Sequence, residues 1–234
     1  MSQSKECSCF FRSAIGLKIV MAGTGLILFG FVLIHMLGNL QIFLPPDAIN
    51  HYAYVLKANP LLLWGFRLFL LLAVVLHIVS AIALTRRNRA SRPVGYQKIN
   101  AQDATLASRT MFVGGLVLLA FIVFHLLQFT GQLGPFSASR SLEATLPGVP
   151  TPVHDVHAMV VKAFQNGWIV LFYVVSLVFL ALHLNHGGAA LFRSLGLGNK
   201  ATFGWQNFVA RAFAWVIFLG MVIVPLAVYF GAVK

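Results

Sequence analysis

Five stretches of this chain are apolar over enough residues to cross a bilayer, and polar segments separate them. A helical crossing takes about 20 such residues. The pattern predicts spans at about 19–43, 60–84, 110–133, 166–190 and 207–230. Pro45, Pro46 and Asp47 close the first span, NHYAYVLKAN (50–59) reads as a short connector of helical character, and Pro60 opens the second span. A basic loop follows, TRRNRASRPVGYQK (85–98). Gly134 and Pro135 open the longest connection, which runs to about Ala163 and holds Pro147, Pro150 and Pro152. Pro225 predicts a kink in the fifth span. No repeat of fixed period is present. The expectation is a single all-α domain over residues 1–234, built as a bundle of five transmembrane helices.

Composition sharpens this picture. The chain is 59% hydrophobic and only 9% charged, whereas soluble domains run near 25% charged. A water-soluble fold is excluded on that ground. The net charge of +12 would suit nucleic acid, but its distribution points to a membrane instead. Twelve of the 17 Lys and Arg residues lie in the N-terminal tail and around the second and fourth connections, and five lie on the other side. Positive charge gathers on the cytoplasmic side. The expectation is therefore a multi-pass protein of the cell (cytoplasmic) inner membrane, N-terminus inside, C-terminus outside, lipid bilayer around it and no nucleic-acid partner. Cys7 and Cys9 are the only cysteines, too few to fill a four-ligand zinc or iron–sulfur site. The first apolar run is too long for a signal core and lacks a small-residue cleavage pattern, so it reads as retained.

The chemistry lies in the histidines. His35, His77, His125 and His183 each fall inside a different span, where an ionisable group is costly and marks function. At 1.5 Å per residue, His35 and His125 lie roughly 22 Å from the inner edge of their spans. His77 and His183 lie roughly 8–10 Å from the inner ends of theirs. The four fall into two pairs by depth, His35 with His125 in the outer leaflet and His77 with His183 in the inner. A lone membrane histidine often only hydrogen-bonds a neighbouring helix; four pairing by level point to bis-histidine haem. Gly23, Gly25 and Gly30 in the first span, with Gly114 and Gly115 in the third, leave room for a flat macrocycle or for close helix contact. Candidate partners for haem propionates are Lys18, Arg109 and Arg193 at the inner level, and Arg67 and Lys162 at the outer. His51 and Tyr54 are candidates for a quinone pocket, with solvated loop residues as the plainer alternative. His154 and His157 also fall outside the membrane, and His186 reads as interfacial. Trp64, Trp168, Trp205 and Trp215 read as anchors near span ends.

HMLGNLQIF at the end of the first span and ALHLNHGGAALFRSLGLGN around the end of the fourth resemble the cytochrome b membrane anchor of succinate:quinone oxidoreductases, the single-subunit, five-helix, two-haem type shared with quinol:fumarate reductases. The resemblance covers essentially the whole chain, including one histidine in each of the first four spans. It implies two haem b groups, with ligands paired first to third and second to fourth, in agreement with the depths. It implies an iron–sulfur subunit docked on the cytoplasmic side and an FAD flavoprotein subunit beyond it. Succinate would be oxidised there and not in this chain, whose own catalytic residues are expected to be none. Electrons would pass to a quinone, menaquinone by the habit of two-haem anchors. Some fumarate-reducing members carry a glutamate two residues before the fourth-span ligand; Ala181 stands there, and no span holds an acid. That leans the expectation towards succinate oxidation. The alternatives are a quinol:fumarate reductase anchor, a haem b anchor of a hydrogenase or formate dehydrogenase, and, from another class, a histidine-based ion transporter.

Overall fold

A computed structural model describes residues 13–91, 109–199 and 201–234. Helix α1 (Ala14–Asn39) starts where the Ser13 side chain accepts a hydrogen bond from the Gly16 amide at 2.9 Å, and it ends in a 3-10 turn, Leu40–Phe43. Helix α2 (Pro46–Lys57) has proline in its first turn, where no amide hydrogen is needed. Helix α3 (Pro60–Ala90) is capped by the Asn59 side chain on Leu62. Helix α4 (Met111–His125) loosens into a π turn, Leu126–Gly131. After a 3-10 turn, Gly134–Ser139, the strands β1 (Glu143–Ala144) and β2 (Val153–His154) pair antiparallel, Glu143 opposite His154. Asp155 and Asn166 cap α5 (Val156–Phe164) and α6 (Gly167–Ser194). Helix α7 (Phe203–Tyr229) carries Pro225 in its interior without ending there.

Among the described residues the fold is all-α apart from that pair of two-residue strands. Five helical stretches are long and apolar enough to cross a membrane: Ala14–Phe43, Pro60–Ala90, Met111–Ser137, Gly167–Ser194 and Phe203–Tyr229. Their outward faces carry bare apolar side chains such as Leu61, Leu62, Phe66 and Phe208, which only lipid or another protein would cover. Inside, α6 packs along α7, α1 along α3, and α4 along α6. Gly188 permits the close approach of α6 to α7, since a Cβ there would stand 3.0 Å from that of Ala210. Met36, Leu184, Ala214 and Ile217 form one core cluster. A second, of Ile42, Ile49, Val160, Phe164, Val170, Tyr173, Val224 and Val228, joins the bundle to α2 and α5, which cap one end. The described acids Asp47, Glu143 and Asp155 all belong to this cap end, while Lys18, Arg86, Arg87, Arg89, Arg109, Arg193 and Arg211 lie at the opposite, basic end. Cys7, Cys9 and the basic residues Lys5, Arg12, Arg92, Lys98 and Lys200 lie outside the described residues.

Several expectations need correction. The second span does not stop near residue 84 but runs to Ala90, taking in the start of the basic loop. Arg87 and Arg89 then sit in the last turn, where cations suit the negative end of the helix dipole. The long connection is folded, with a strand pair and α5 within it. Gly23 and Gly30 make no room inside the bundle: both are exposed with open space beside them, on the face of α1 that bears Leu26, Ile34 and Leu37. Trp215 is no span-end anchor either. It lies near the middle of α7 and points outward, 57% exposed. An apolar indole face can meet hydrocarbon at that depth.

Candidate functional site: two histidine pairs

Helix α1 brings His35 against His125 of α4, with ring centroids 5.6 Å apart and planes at 89°. Helix α3 brings His77 against His183 of α6, with centroids 6.1 Å apart and planes at 59°. The sequence-predicted pairing is thus the pairing in the fold. All four side chains are half-buried. Among the described residues no three His, Cys, Asp or Glu side chains converge on a bare metal ion; these histidines meet in twos. Two imidazole nitrogens, each about 2 Å from a shared metal, bring ring centroids to about 6 Å. The separations fit a metal held between facing rings, with its other positions supplied by a macrocycle.

The nitrogens support that use. Thr24 Oγ1 stands 3.1 Å from His77 Nδ1, and the hydroxyl donates its one proton to the Val20 carbonyl at 2.8 Å. It can therefore only accept from His77, which carries its proton on Nδ1 and leaves Nε2 as a free lone pair. His125 is held in the same way. Its Nδ1 is 3.0 Å from the Tyr173 hydroxyl, which donates to Gln128 Oε1 at 2.7 Å. His183 Nδ1 is buried without a partner. At His35 the Asn39 amide donates to the residue's own carbonyl at 2.7 Å and lies 3.3 Å from Nε2. Ligation through Nε2 would require that second contact to yield.

Aromatic rings surround the cap-end pair. Phe31 stacks on His35 at 5.3 Å, and Phe121 and Phe129 flank His125 at 5.7 and 5.3 Å. The basic-end pair has a barer wall: Gly25 lies so close to His77 that a Cβ there would be 3.5 Å from the ring. Gly114 faces Phe179, where a Cβ would stand 3.3 Å away, while Gly115 has open space.

The other candidates are less gathered. Lys18 and Arg109 are exposed at the basic end. Arg193 lies over the Phe203 ring at 5.6 Å and lines a surface pocket with Gly198 and Asn199. At the cap end Arg67 is drawn onto Trp64, 5.0 Å from the ring centre. Lys162 lines a cavity of about 230 Å³ together with Gln128, Phe129, Met159 and Asn166, which ties it indirectly to His125. His51 and Tyr54 share one face of α2, with rings 6.3 Å apart, but both are exposed. Neither is among the residues lining that cavity.

Thr24, Asn39, Gln128 and Tyr173 were not anticipated. Asn39 and Gln128 follow His35 and His125 by four and three residues, a helical spacing that could have flagged them. Thr24 and Tyr173 reach their histidines from other helices, and no local pattern announces that. What the fold and the site define is an all-α protein with five helices fit to span a membrane and two facing histidine pairs between them. No family model matches the chain, and neither a curated protein nor a solved structure matches it.

Proposed function

We propose that this chain is the di-haem cytochrome b membrane anchor of a succinate:quinone oxidoreductase. The main support is the meeting of four span histidines in two pairs, 5.6 and 6.1 Å between ring centres. His35 and His125 would hold one haem b, His77 and His183 the other, and each bound haem supplies reversible one-electron chemistry at its iron. Thr24 and Tyr173 stand 3.1 and 3.0 Å from Nδ1 of His77 and His125, which makes Nε2 of each ring the candidate ligating atom. The apolar helices exclude water from both levels, and these follow one another along α6, from Tyr173 beside His125 to His183 about 15 Å further on, so that electrons can pass between them. The basic end faces the cytoplasm and seats the iron–sulfur subunit, which connects to the FAD flavoprotein subunit. Seven described cations and no described acid at that end favour an acidic docking partner. The electron acceptor is a quinone, and the absence of any acid in the described spans favours succinate oxidation over quinol-driven fumarate reduction.

Purified protein should be red, with dithionite-reduced α-band absorbance and extracted haem amounting to two haem b per chain. A colourless preparation that moves protons or metal ions across vesicles would favour the transporter reading. Co-purification with a nickel enzyme would favour the hydrogenase-type anchor.

A further inference from the structure

Tyr173 is one of the least exposed large side chains of the bundle, at 6%, and its hydroxyl is spent entirely on one chain of hydrogen bonds. That chain runs from His125 Nδ1 through the phenol to Gln128 Oε1, over distances of 3.0 and 2.7 Å. Gln128 is itself only 3% exposed. The phenol ring cannot swing away: Phe164 and Phe121 meet it edge-on at 4.8 and 4.9 Å, and Phe124 and Phe129 close the remaining sides. A buried phenol so enclosed has one proton to give and gives it to the amide oxygen. Its own oxygen must then accept from His125. Turning the amide over would reverse the chain, and His125 would carry its proton on Nε2, the only nitrogen left for a ligand. The basic-end pair is built differently. There the acceptor on His77 is the alcohol of Thr24, tied to its own helix backbone, and His183 Nδ1 has no partner.

We infer that Tyr173 and Gln128 are positioning residues for His125, fixing its proton on Nδ1 so that Nε2 is presented as the ligating atom, and making His125 a stronger donor than an imidazole whose Nδ1–H has no acceptor. Part of this rests on the two-haem reading; the tautomer of His125 does not. A hydrogen bond from Nδ1–H to a good acceptor raises imidazole basicity. A more basic ligand favours ferric over ferrous iron. The cap-end centre is thereby held at a lower potential than its ligand pair alone would give it. Because α6 carries both Tyr173 and His183, ten residues or about 15 Å apart, one helix sets a ligand at one level and tunes a ligand at the other.

The test uses the full chain in membranes, comparing wild type with Tyr173→Phe and Gln128→Leu. Nitrogen-15 solid-state NMR of labelled histidine, on apo protein, reads the tautomer without any haem. Wild type should carry His125 as the Nδ1–H form, and Tyr173→Phe should convert it to a mixture. A wild-type His125 protonated on Nε2 overturns the inference whatever the haem content, and leaves the two-haem reading standing if the protein is red. On loaded protein, redox titration should find both haems retained in Tyr173→Phe. The His35–His125 centre should rise in potential through about a tenfold loss of ferric preference, roughly 59 mV for one electron, with the other centre unmoved. Gln128→Leu should shift the same centre in the same direction by less. Equal potentials and unchanged low-temperature EPR g-values in both variants would sink the inference. A merely structural tyrosine would instead lower haem content or stability without moving one potential alone.

Discussion

Thr24 on α1 stands 3.1 Å from Nδ1 of His77 on α3, with its hydroxyl proton already given to Val20 at 2.8 Å. One cross-helix contact thus joins the packing of α1 on α3 to the chemical state of a ring. Replacing Thr24 with Val keeps the shape and removes the acceptor. The expected result is about 10-fold weaker metal-group retention at the His77–His183 level, measured by haem loss on dialysis against apomyoglobin. Thr24→Ser should restore it.

The two pairs should also separate genetically. His183→Ala should remove one haem and leave the other's spectrum and potential in place, and His35→Ala should do the converse. Each variant is counted by pyridine haemochromogen and by redox titration. Loss of the same centre in both variants would contradict the pairing of His35 with His125 and His77 with His183.

Asn50, 1% exposed, locks the two helices of the cap together. Its Oδ1 accepts from the Val156 and His157 amides at 2.8 and 3.0 Å, and its Nδ2 donates to Asp155 at 3.1 Å. Asn50→Ala orphans two amides in the first turn of α5, at about 1–3 kcal/mol for a buried group left unpaired. Hydrogen exchange should rise across α2 and α5 with α1 and α7 unaffected.

Gly188 faces Ala210 with no slack, since a new Cβ would stand 3.0 Å from the Ala210 Cβ and 3.5 Å from its Cα. Neither neighbour can rotate away. Gly188→Ala should cost about 1–3 kcal/mol of overpacking, seen as a lower melting temperature in detergent, and Gly188→Val more. Gly23→Ala, at an open position, is the matched control and should leave the melting temperature unchanged or higher.

The cap should loosen in acid. Burial, then the Lys57 charge, holds His154 below the ordinary imidazole value, outweighing the Leu142 backbone and Asp155. Its ring lies 3.0 Å from the Gln132 amide, which donates to Met159. Because the folded form resists protonation, the unfolded form binds the extra proton, and stability rises with pH. The contribution is complete above about pH 6.5, the unperturbed value, and is lost as pH falls towards the depressed one. Exchange of residues 143–154, corrected for intrinsic rates, should quicken between pH 7.5 and 5.5, and His154→Asn should flatten that dependence.

Much of this molecule was legible in its order of residues. Hydrocarbon demands long apolar helices, so the spans, their number and the oddity of His35, His77, His125 and His183 could be read directly. Constant helical rise gave expected depths, and these matched His35 with His125 and His77 with His183, the pairs that meet in the fold. Helical phase was harder. Gly23 and Gly30 looked like space for a macrocycle, yet they face outward, because a span that is apolar all round does not declare which side meets its neighbours. The long connection between the third and fourth spans gave no periodic signal, because its two short strands and α5 are held by contacts with Asn50 and the cap core.

What the sequence by itself determined is the number of helices long and apolar enough to cross a membrane and which imidazoles meet, both consequences of a fixed rise per residue along helices whose backbone bonds are satisfied internally. Only the tertiary structure decided which hydroxyl meets which ring: Thr24 on His77, and Tyr173 with Gln128 on His125. Those contacts join side chains from 45 to 53 residues apart. They depend on how helices rotate and cross, which is set by packing across the whole bundle and by no local pattern.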